Sequence, residues 1–366
     1  MSIGSPPNNL IYLHCLNRFN KFGPKRLAKI SQLKNWGKAF RMSAKELINL
    51  GIEENLAHEW IKFRSLLNPR QEEQKLQQAN IHLISQDCPT YPPPLKHIAV
   101  PPPLIYVRGE LKPCSFLLAI VGSRKISPYG KRVASQLSRQ LAARQIGIVS
   151  GLALGVDAEV HRAVIEMGGY TIAVLGSGID DASIYPRSNF QLAQRIIKQG
   201  GALISEFPPF APPLKQHFPQ RNRIIAGLTQ GVIVVEAGEK SGALITAYYA
   251  LEEGREVMAV PGNIYSPNSQ GTNRLIQKGA HLISSAQDCL ELFGLTSAPK
   301  CNNNKANAPL TEEEKNLLKH FDSEPISAEE LAMLAKTPAP QINQILSWLE
   351  LKGVIKDLGG KKFVKI

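Results

Sequence analysis

Between residues 116 and 294, short apolar runs alternate with longer stretches in which apolar residues recur every three or four positions. Continuous apolar runs are typical of strands buried on both faces, and the longer stretches of the helices that cover them. Strands are predicted at Phe116–Val121, Ile146–Val149, Thr171–Leu175, Ala202–Ser205, Val232–Glu236, Val257–Val260 and, more weakly, His281–Ser284. Val133, Leu137 and Leu141 form the apolar stripe of one intervening helix. This order predicts a doubly wound parallel α/β sheet.

The segment before this alternation predicts short helices followed by extended chain. Ser43 and Glu46 form a capping box, and Gly51 is placed to end that helix. We therefore expect a small helical module, similar to SAM or helix-hairpin-helix units, at residues 1–70. Prolines in residues 81–113 indicate extended connectors around a short strand at Leu104–Val107.

The C-terminal part predicts a second fold. Residues 295–309 are polar and aperiodic, which is typical of a linker. In residues 310–366, capping boxes at Thr311/Glu314 and Ser327/Glu330, a third helix and a glycine-flanked hairpin follow one another. Three helices and a hairpin indicate a winged helix. The α/β domain is accordingly assigned to residues 71–294.

The charge favours a polyanionic partner. The 366 residues have a formal net charge of +13, as expected of a nucleic-acid-binding protein. Residues 1–70 contribute +8, with a cluster at Arg18, Lys21, Lys25, Arg26 and Lys29 that is either a phosphate patch or a solvated face. Residues 310–366 have a net charge of −1, so we expect the winged helix to have a protein-contact or modulatory role rather than to read duplex DNA.

Other classes of protein fit the sequence less well. Apolar runs stay far below the roughly 20 residues of a membrane span, and the five cysteines have neither disulfide-framework nor zinc spacing. We expect a cytoplasmic protein with reduced thiols and no metal. The chain contains neither a P-loop nor the G-x-G-x-x-G of a dinucleotide site, so no cofactor is predicted.

Glycine turns follow several predicted strands at the sheet edge where doubly wound proteins bind ligands. Backbone N–H groups in such turns and at helix starts bind phosphate. The convergence of these turns on one edge predicts a phosphate-binding pocket. The residues concerned are Gly122, Ser123, Arg124, Ser150, Gly151, Gly176, Lys240, Ser241 and Gly242.

The segment 215–227 combines cations with an aromatic residue. Lys215, Arg221 and Arg223 bracket Phe218, with Asn222 among them. Sequence-tolerant binding of single-stranded nucleic acid requires cations for the backbone and an aromatic face for the bases. Neighbouring prolines predict an ordered loop. The alternative interpretation is that Phe218 belongs to the core and the cations are solvated.

Several of these motifs together resemble the DNA-processing protein A family (DprA, also called Smf). They are the turns at 122–124 and 150–157, Ser205-Glu206, the run from Phe218 to Leu228, Ser241–Ala247 and Val260-Pro261-Gly262. The resemblance implies an extended Rossmann fold, homodimerisation, single-stranded DNA binding and loading of a RecA-type recombinase during natural transformation. It also implies that Arg124, Lys215 and Phe218 line the DNA pocket, with Gly122, Ser123, Ser241 and Gly242 in its phosphate-binding turns.

Two other functions fit the sequence less well. A phosphoribohydrolase-like enzyme would use acids such as Asp157, Glu206 or Glu236 at the strand ends. Its P-G-G-x-G-T motif is not assembled here, and we expect these acids in caps or ion pairs, with His161 pairing with Asp157. No catalytic residue is assigned. A duplex-binding regulator is disfavoured because the third C-terminal helix has no basic residue at its predicted exposed positions, Gln341, Asn343, Gln344 and Ser347.

Overall fold

The computed structural model describes residues 9–33, 35–295, 311–321, 326–335, 337–351, 354–357 and 362–365. They form two compact units that divide after residue 296. Within these ranges, no helix has the length and apolar character needed to cross a membrane.

A sheet of nine strands organises the first unit. Its strands are β1 (His82–Ser85), β2 (Leu104–Gly109), β3 (Leu117–Val121), β4 (Gly147–Ser150), β5 (Thr171–Val174), β6 (Ala202–Ser205), β7 (Gly231–Val234), β8 (Glu256–Ala259) and β9 (His281–Leu282). They lie in the order β1-β2-β6-β5-β4-β3-β7-β8-β9. Strands β3 to β9 are parallel, whereas β1 and β2 are antiparallel additions at one edge. The predicted doubly wound α/β fold is confirmed.

Fourteen α-helices are described in this unit. They are α1 (Asn9–Asn17), α2 (Pro24–Ser31), α3 (Trp36–Arg41), α4 (Ala44–Asn49), α5 (Glu54–Arg64), α6 (Pro69–Gln78), α7 (Pro93–Lys96), α8 (Pro128–Ala143), α9 (Val156–Glu166), α10 (Phe190–Lys198), α11 (His217–Leu228), α12 (Gly242–Glu252), α13 (Gln270–Gln277) and α14 (Ala286–Leu292). Helices α8, α9 and α14 share one buried apolar cluster with the sheet. Helices α7, α11, α12 and α13 share another. Both faces are therefore covered, which explains the continuous apolar strands.

The N-terminal helices share a core with the sheet. The predicted Ser43/Glu46 capping box forms, and Gly51 adopts the left-handed conformation, with φ +78°, just after α4. Trp60 is fully buried in this core. Helix α1 docks on β2 through His14, whose Nδ1 lies 3.0 Å from the hydroxyl of Tyr106. The helical region extends through α6, beyond the predicted limit at residue 70.

The second unit has the predicted winged-helix architecture. Helices α15 (Glu312–Leu318), α16 (Ala328–Leu334) and α17 (Ala339–Leu351) accompany strands β10 (Ile326–Ser327), β11 (Ile355–Asp357) and β12 (Lys362–Lys365) in the antiparallel order β10-β12-β11. Both predicted capping boxes form. Leu331, Ile342 and Leu346 lie in its buried core. The predicted linker lies outside the described residues, apart from Leu295.

Candidate functional site

The parallel sheet changes winding direction between β3 and β7. From β3 the chain proceeds through β4, β5 and β6 on one side, and from β7 through β8 and β9 on the other. The connections that follow β3 and β7 therefore run in opposite directions, which opens a crevice at the carboxyl ends of these two strands. A cleft of about 900 Å³ lies there. Its walls come from the turns after β3 and β7, the starts of α9, α11 and α12, and Tyr185.

The turn after β3 is tightly constrained. A Cβ on Gly122 would lie 2.6 Å from Cγ2 of Val156, and one on Gly155 would lie 2.2 Å from the Ser123 carbonyl oxygen. The Ser123 N–H donates to the Glu236 carbonyl at 2.7 Å, and the Val156 N–H donates to the Ser123 carbonyl at 3.1 Å. Only glycine permits these close approaches. The turn holds Arg124 at the cleft with an exposed side chain.

The N-terminus of α12 forms a second wall. Ser241 caps the helix by accepting a hydrogen bond from the Ala243 N–H at 3.3 Å. A Cβ on Gly242 would meet no atom within 4 Å, so the space beside it is open. Lys240, just before the cap, is exposed and lines the cleft. An open helix start beside a cation is suited to a phosphate group.

Phe218 lies in the wall of the cleft. It is half-buried, and the Arg124 guanidinium carbon lies 5.2 Å from the centroid of its ring. The Tyr185 ring lies 5.8 Å away, tilted by 46°. Gly176 packs behind the ring, since a Cβ there would be 3.0 Å from Cδ1 of Phe218. The ring is thus positioned at a cavity rather than enclosed in the core.

Four cations at the cleft are available to an anion. The side chains of Arg124, Lys125, Lys215 and Lys240 are exposed and line it. Within the part of the chain that the structure describes, none of them lies within 4.0 Å of a carboxylate. A concave site lined by cations attracts anionic ligands such as phosphates and raises their local concentration.

The segment 215–227 is not the predicted loop. Apart from Lys215 and Gln216 it belongs to α11, in which Pro219 is the third residue. Proline is tolerated in a first helical turn because the N–H it lacks would have no intrahelical acceptor.

The helical structure changes the roles available to two predicted DNA ligands. Arg221 is only 4% exposed, and its Nη1 donates to the carbonyls of Gly151, at 2.8 Å, and Val174. Arg223 is buried in an ion pair with Glu206 and does not line the cleft. Both arginines stabilise the structure around the cleft, which Arg221 also lines, and neither is the exposed loop residue that the sequence predicted.

The remaining predicted residues divide into two groups. Asn222 lines the cleft and donates from Nδ2 to the Gly242 carbonyl at 3.2 Å, which joins α11 to the start of α12. Ser150, Gly151 and Gly176 do not line it. Ser150 is buried and donates to the Ile120 carbonyl at 2.7 Å. These three residues are placed beneath the site.

The acids considered for catalysis have structural partners, as expected. Asp157 accepts from the Gly151 N–H at 3.1 Å, and burial raises its pKa although Arg221 opposes the shift. Glu236 accepts from the Ser127 N–H at 3.0 Å and from the Ser127 hydroxyl. The predicted pairing of His161 with Asp157 is wrong. His161 Nδ1 instead lies 2.8 Å from the Thr171 hydroxyl, and burial lowers the pKa of His161 to about 3.

Sequence reasoning missed several residues that line the cleft, notably Lys125, Tyr185 and Asn268. Lys125 directly follows the predicted Gly-Ser-Arg turn, so its position was available from the sequence. Asn268 donates to the Lys125 carbonyl at 2.8 Å across 143 residues, and such a contact has no local pattern. Among the described residues, no cluster of three or more His, Cys, Asp or Glu side chains is arranged to hold a metal ion.

Comparisons with known proteins agree with this geometry. The family model for DNA recombination-mediator protein A matches residues 82–294, and that for the DprA winged-helix domain matches residues 302–361. The chain belongs to the DprA family. Protein Smf of Escherichia coli is 43% identical to it over 292 residues, which are 78% of each chain. DNA processing protein DprA of Bacillus subtilis is 46% identical over 213 residues, 58% of this chain and 71% of that protein.

Solved DprA structures extend the comparison to the fold. The X-ray structure of DprA from Streptococcus pneumoniae has a TM-score of 0.66 and 33% identity, covering 77% of this chain and 97% of that one. DNA processing protein A from Helicobacter pylori, whose structure concerns its single-stranded DNA binding mode, has a TM-score of 0.53 and 29% identity over 59% of this chain and 96% of that one. The expected family resemblance is confirmed.

Proposed function

We propose that this protein binds single-stranded DNA without sequence preference in the cleft between β3 and β7. The observation on which this depends is the placement of Phe218 beneath the guanidinium of Arg124, beside three further unpaired cations. Phosphates contact Arg124, Lys125, Lys215, Lys240 and the start of α12, while a base stacks on Phe218. Every base has a π-face, so this chemistry does not discriminate sequence. The Helicobacter pylori relative, whose structure concerns its single-stranded DNA binding mode, supports single-stranded DNA as the ligand.

The contacts made by the three acids at the strand ends favour a binding function over catalysis. Asp157, Glu206 and Glu236 are buried, and each is held by hydrogen bonds or an ion pair. A general acid or base must reach the substrate proton within hydrogen-bond distance. We therefore favour a binding protein over the phosphoribohydrolase-like enzyme.

We further propose that the bound strand is delivered to a RecA-type recombinase in the cytoplasm during natural transformation, and that the protein acts as a homodimer. The description of the matching family as a recombination mediator supports the first role. An assay of RecA-dependent strand exchange on DNA coated with single-strand-binding protein tests it: the protein should shorten the lag, and an unchanged lag would contradict the loading role.

The binding site is tested by Arg124→Glu and Lys215→Glu. Each substitution should weaken binding of a labelled single strand and reduce the slope of log K against log salt by about 0.7, because one phosphate contact is lost. Fluorescence anisotropy at several salt concentrations, with single-stranded and duplex oligonucleotides, measures both quantities.

The matched control is Arg144→Glu, which makes the same charge change after the C-terminus of α8, at the other end of the sheet from the cleft. It should leave the salt slope unchanged. Equal slopes for folded Arg124→Glu and wild type would reject the assignment of Arg124. Release of free base from a nucleoside monophosphate would instead favour the enzyme.

A further inference from the structure

A second cavity of about 600 Å³ lies between the N-terminal helices and the α/β domain, within the same compact unit. It is bounded by the start of α2 and by side chains of α11 and α12. Its charged lining residues are Lys25, Arg26, Lys29, Glu53, Glu206 and Arg223.

The charges in this cavity favour an anion. Four cations and two carboxylates line it, a net charge of +2. Arg26 is paired with Glu53 through two hydrogen bonds of 2.9 and 2.7 Å, and Arg223 with Glu206. Because both arginines are paired with acids, the excess positive charge lies on Lys25 and Lys29 of α2.

The basic cluster seen in the sequence thus divides in two. Arg18, Lys21 and Arg26 are paired with acids of the helical region. Lys29 donates to the Gly51 carbonyl at 2.8 Å, which leaves further N–H groups on its ammonium. Lys25 is exposed, and no hydrogen bond or ion pair to another described side chain is found for it. Lys25 is therefore the cation most available to a ligand.

The start of α2 is open at this cavity. Gly23 precedes the helix and provides no side-chain cap, and Pro24 occupies the first turn. A Cβ on Gly23 would meet no atom within 4 Å. Pro24 has no N–H and the Arg26 N–H donates to the Gly23 carbonyl at 3.0 Å, so the helix start offers an anion the Lys25 N–H and the open space beside Gly23.

Two buried atoms in the wall lack partners. Arg223 and Glu206 are each 8% exposed, and although they pair with one another, Nη1 of Arg223 and Oε1 of Glu206 have no hydrogen-bond partner. A buried donor without an acceptor destabilises the folded protein. Arg223 lines the cavity, so a rotation of its guanidinium would bring Nη1 to a phosphate oxygen, whereas Oε1 of Glu206, as an acceptor, gains nothing from an anion.

The second cavity is adjacent to the cleft through shared helices. On α11, Pro219 and Asn222 line the cleft, whereas Gln220 and Arg223 line the second cavity. On α12, Ile245 lines the cleft and Tyr249, four residues later, lines the second cavity. Four helical residues span about 6 Å, and a helix with its side chains is about 10–12 Å wide. A strand that already fills the cleft must therefore continue by a few more nucleotides to reach the second cavity.

We propose that this second cavity holds another phosphate of the same DNA strand, bound by Lys25 and the start of α2, with an adjacent base against Tyr249. The inference rests on the proposed function, since it extends the path of the strand beyond the cleft. Cations beside an aromatic ring are the same chemistry that the cleft uses.

The test compares Lys25→Glu with wild type on oligothymidylates of about 5 and about 20 nucleotides, within and beyond a typical single site. For the longer strand we expect affinity to fall about three- to tenfold and the salt slope to decrease by about 0.7. For the shorter strand, which the cleft alone accommodates, we expect no change. Lys25→Arg should restore binding of the longer strand.

The matched control is Lys45→Glu, an equal charge change at an exposed position on α4 that lies outside the cavity. It should affect neither oligonucleotide. Equal binding of Lys25→Glu and wild type at both lengths would reject the second site, and so would an equal loss at both lengths. Arg124→Glu tests the proposed function separately from the second site. If this variant binds both lengths as wild type does, the proposed function fails, whatever the result for Lys25→Glu.

Discussion

Phe218 is packed against neighbouring side chains and is also a proposed DNA-binding residue. Its ring rests on Gly176 and contacts Tyr185, yet it remains half-buried at the cleft with the Arg124 guanidinium over it. Neighbouring side chains fix the ring before DNA arrives, so little conformational freedom is lost when a base stacks on it.

Replacing Phe218 by leucine should weaken binding without changing its salt dependence. Stacking contributes about 1–3 kcal/mol per base, which corresponds to a roughly 5- to 150-fold loss of affinity. No counterion is released by stacking, so the salt slope should match that of wild type. Anisotropy titrations measure both, with Phe218→Tyr as the control that keeps an aromatic ring. Wild-type affinity in Phe218→Leu would assign the ring to packing alone.

The sequence indicated some site residues and could not distinguish others. Arg124 follows a strand directly, so its place at the sheet edge follows from the fold. In the sequence, Arg221 and Arg223 are cations near Phe218, as Lys215 is. The structure shows that Arg221 interacts with Asp157 and Arg223 with Glu206, and neither acid is a sequence neighbour of its arginine. Whether an arginine is buried in a pair or exposed to a ligand depends on such partners, which a single sequence does not reveal.

Among the helices and strands, the parallel strands were predictable from the sequence. The elements that were not predicted, such as β1 and α11, were hidden for physical reasons. Strands β4 to β7 are buried throughout, so their apolar runs stand out. Strand β1 was missed because it is a partly exposed edge strand within a polar, proline-rich stretch. Helix α11 was missed because Pro219 falls in its first turn, where proline is compatible with a helix.

The packing of α6 against α1 should depend on pH, because Glu72 of α6 is bonded to His14 of α1 and to Arg18. Burial alone would raise the pKa of Glu72, but hydrogen bonds from His14, Lys75 and Arg18 outweigh it and hold the pKa at about 2. The unfolded chain has the ordinary pKa of 4.5. A lowered pKa stabilises the folded state above pH 4.5, and this stabilisation is lost as the pH falls from 4.5 towards 2.

Glu72→Gln should therefore be less stable than wild type at neutral pH, with a difference that shrinks as the pH falls through this window. Urea unfolding followed by tryptophan fluorescence measures the difference, because Trp36 and Trp60 both lie in this core. Glu73→Gln, the neighbouring position on α6, serves as the charge-matched control. A difference that stayed constant from pH 7 to pH 3 would show that the Glu72 carboxylate is not the titrating group.

For the whole molecule, we propose the edge of the sheet at β9 as the contact surface of the proposed homodimer. Strand β9 pairs with β8 on one side, and no strand is described on its other side. Leu282 on this strand is 51% exposed. An unpaired edge with an exposed leucine favours association with another chain.

Leu282→Glu should convert the dimer to a monomer, because a charge at the centre of an apolar contact is not compensated there. Light scattering coupled to size-exclusion chromatography measures the mass, and Leu66→Glu, an equally drastic change at an 81% exposed leucine of the helical region, should leave it unchanged. A wild-type mass for folded Leu282→Glu would place the dimer contact elsewhere.

The monomeric variant also separates two reasons why a longer strand binds more tightly. A dimer gains affinity by engaging one strand with two clefts, since the second contact is intramolecular. A second cavity on the same chain gains affinity without a partner. If the second cavity continues the cleft of its own chain, Lys25→Glu should still weaken binding of the longer strand in the Leu282→Glu background, by the same factor as in the dimer. If the effect disappears in the monomer, the strand reaches Lys25 only from the partner's cleft.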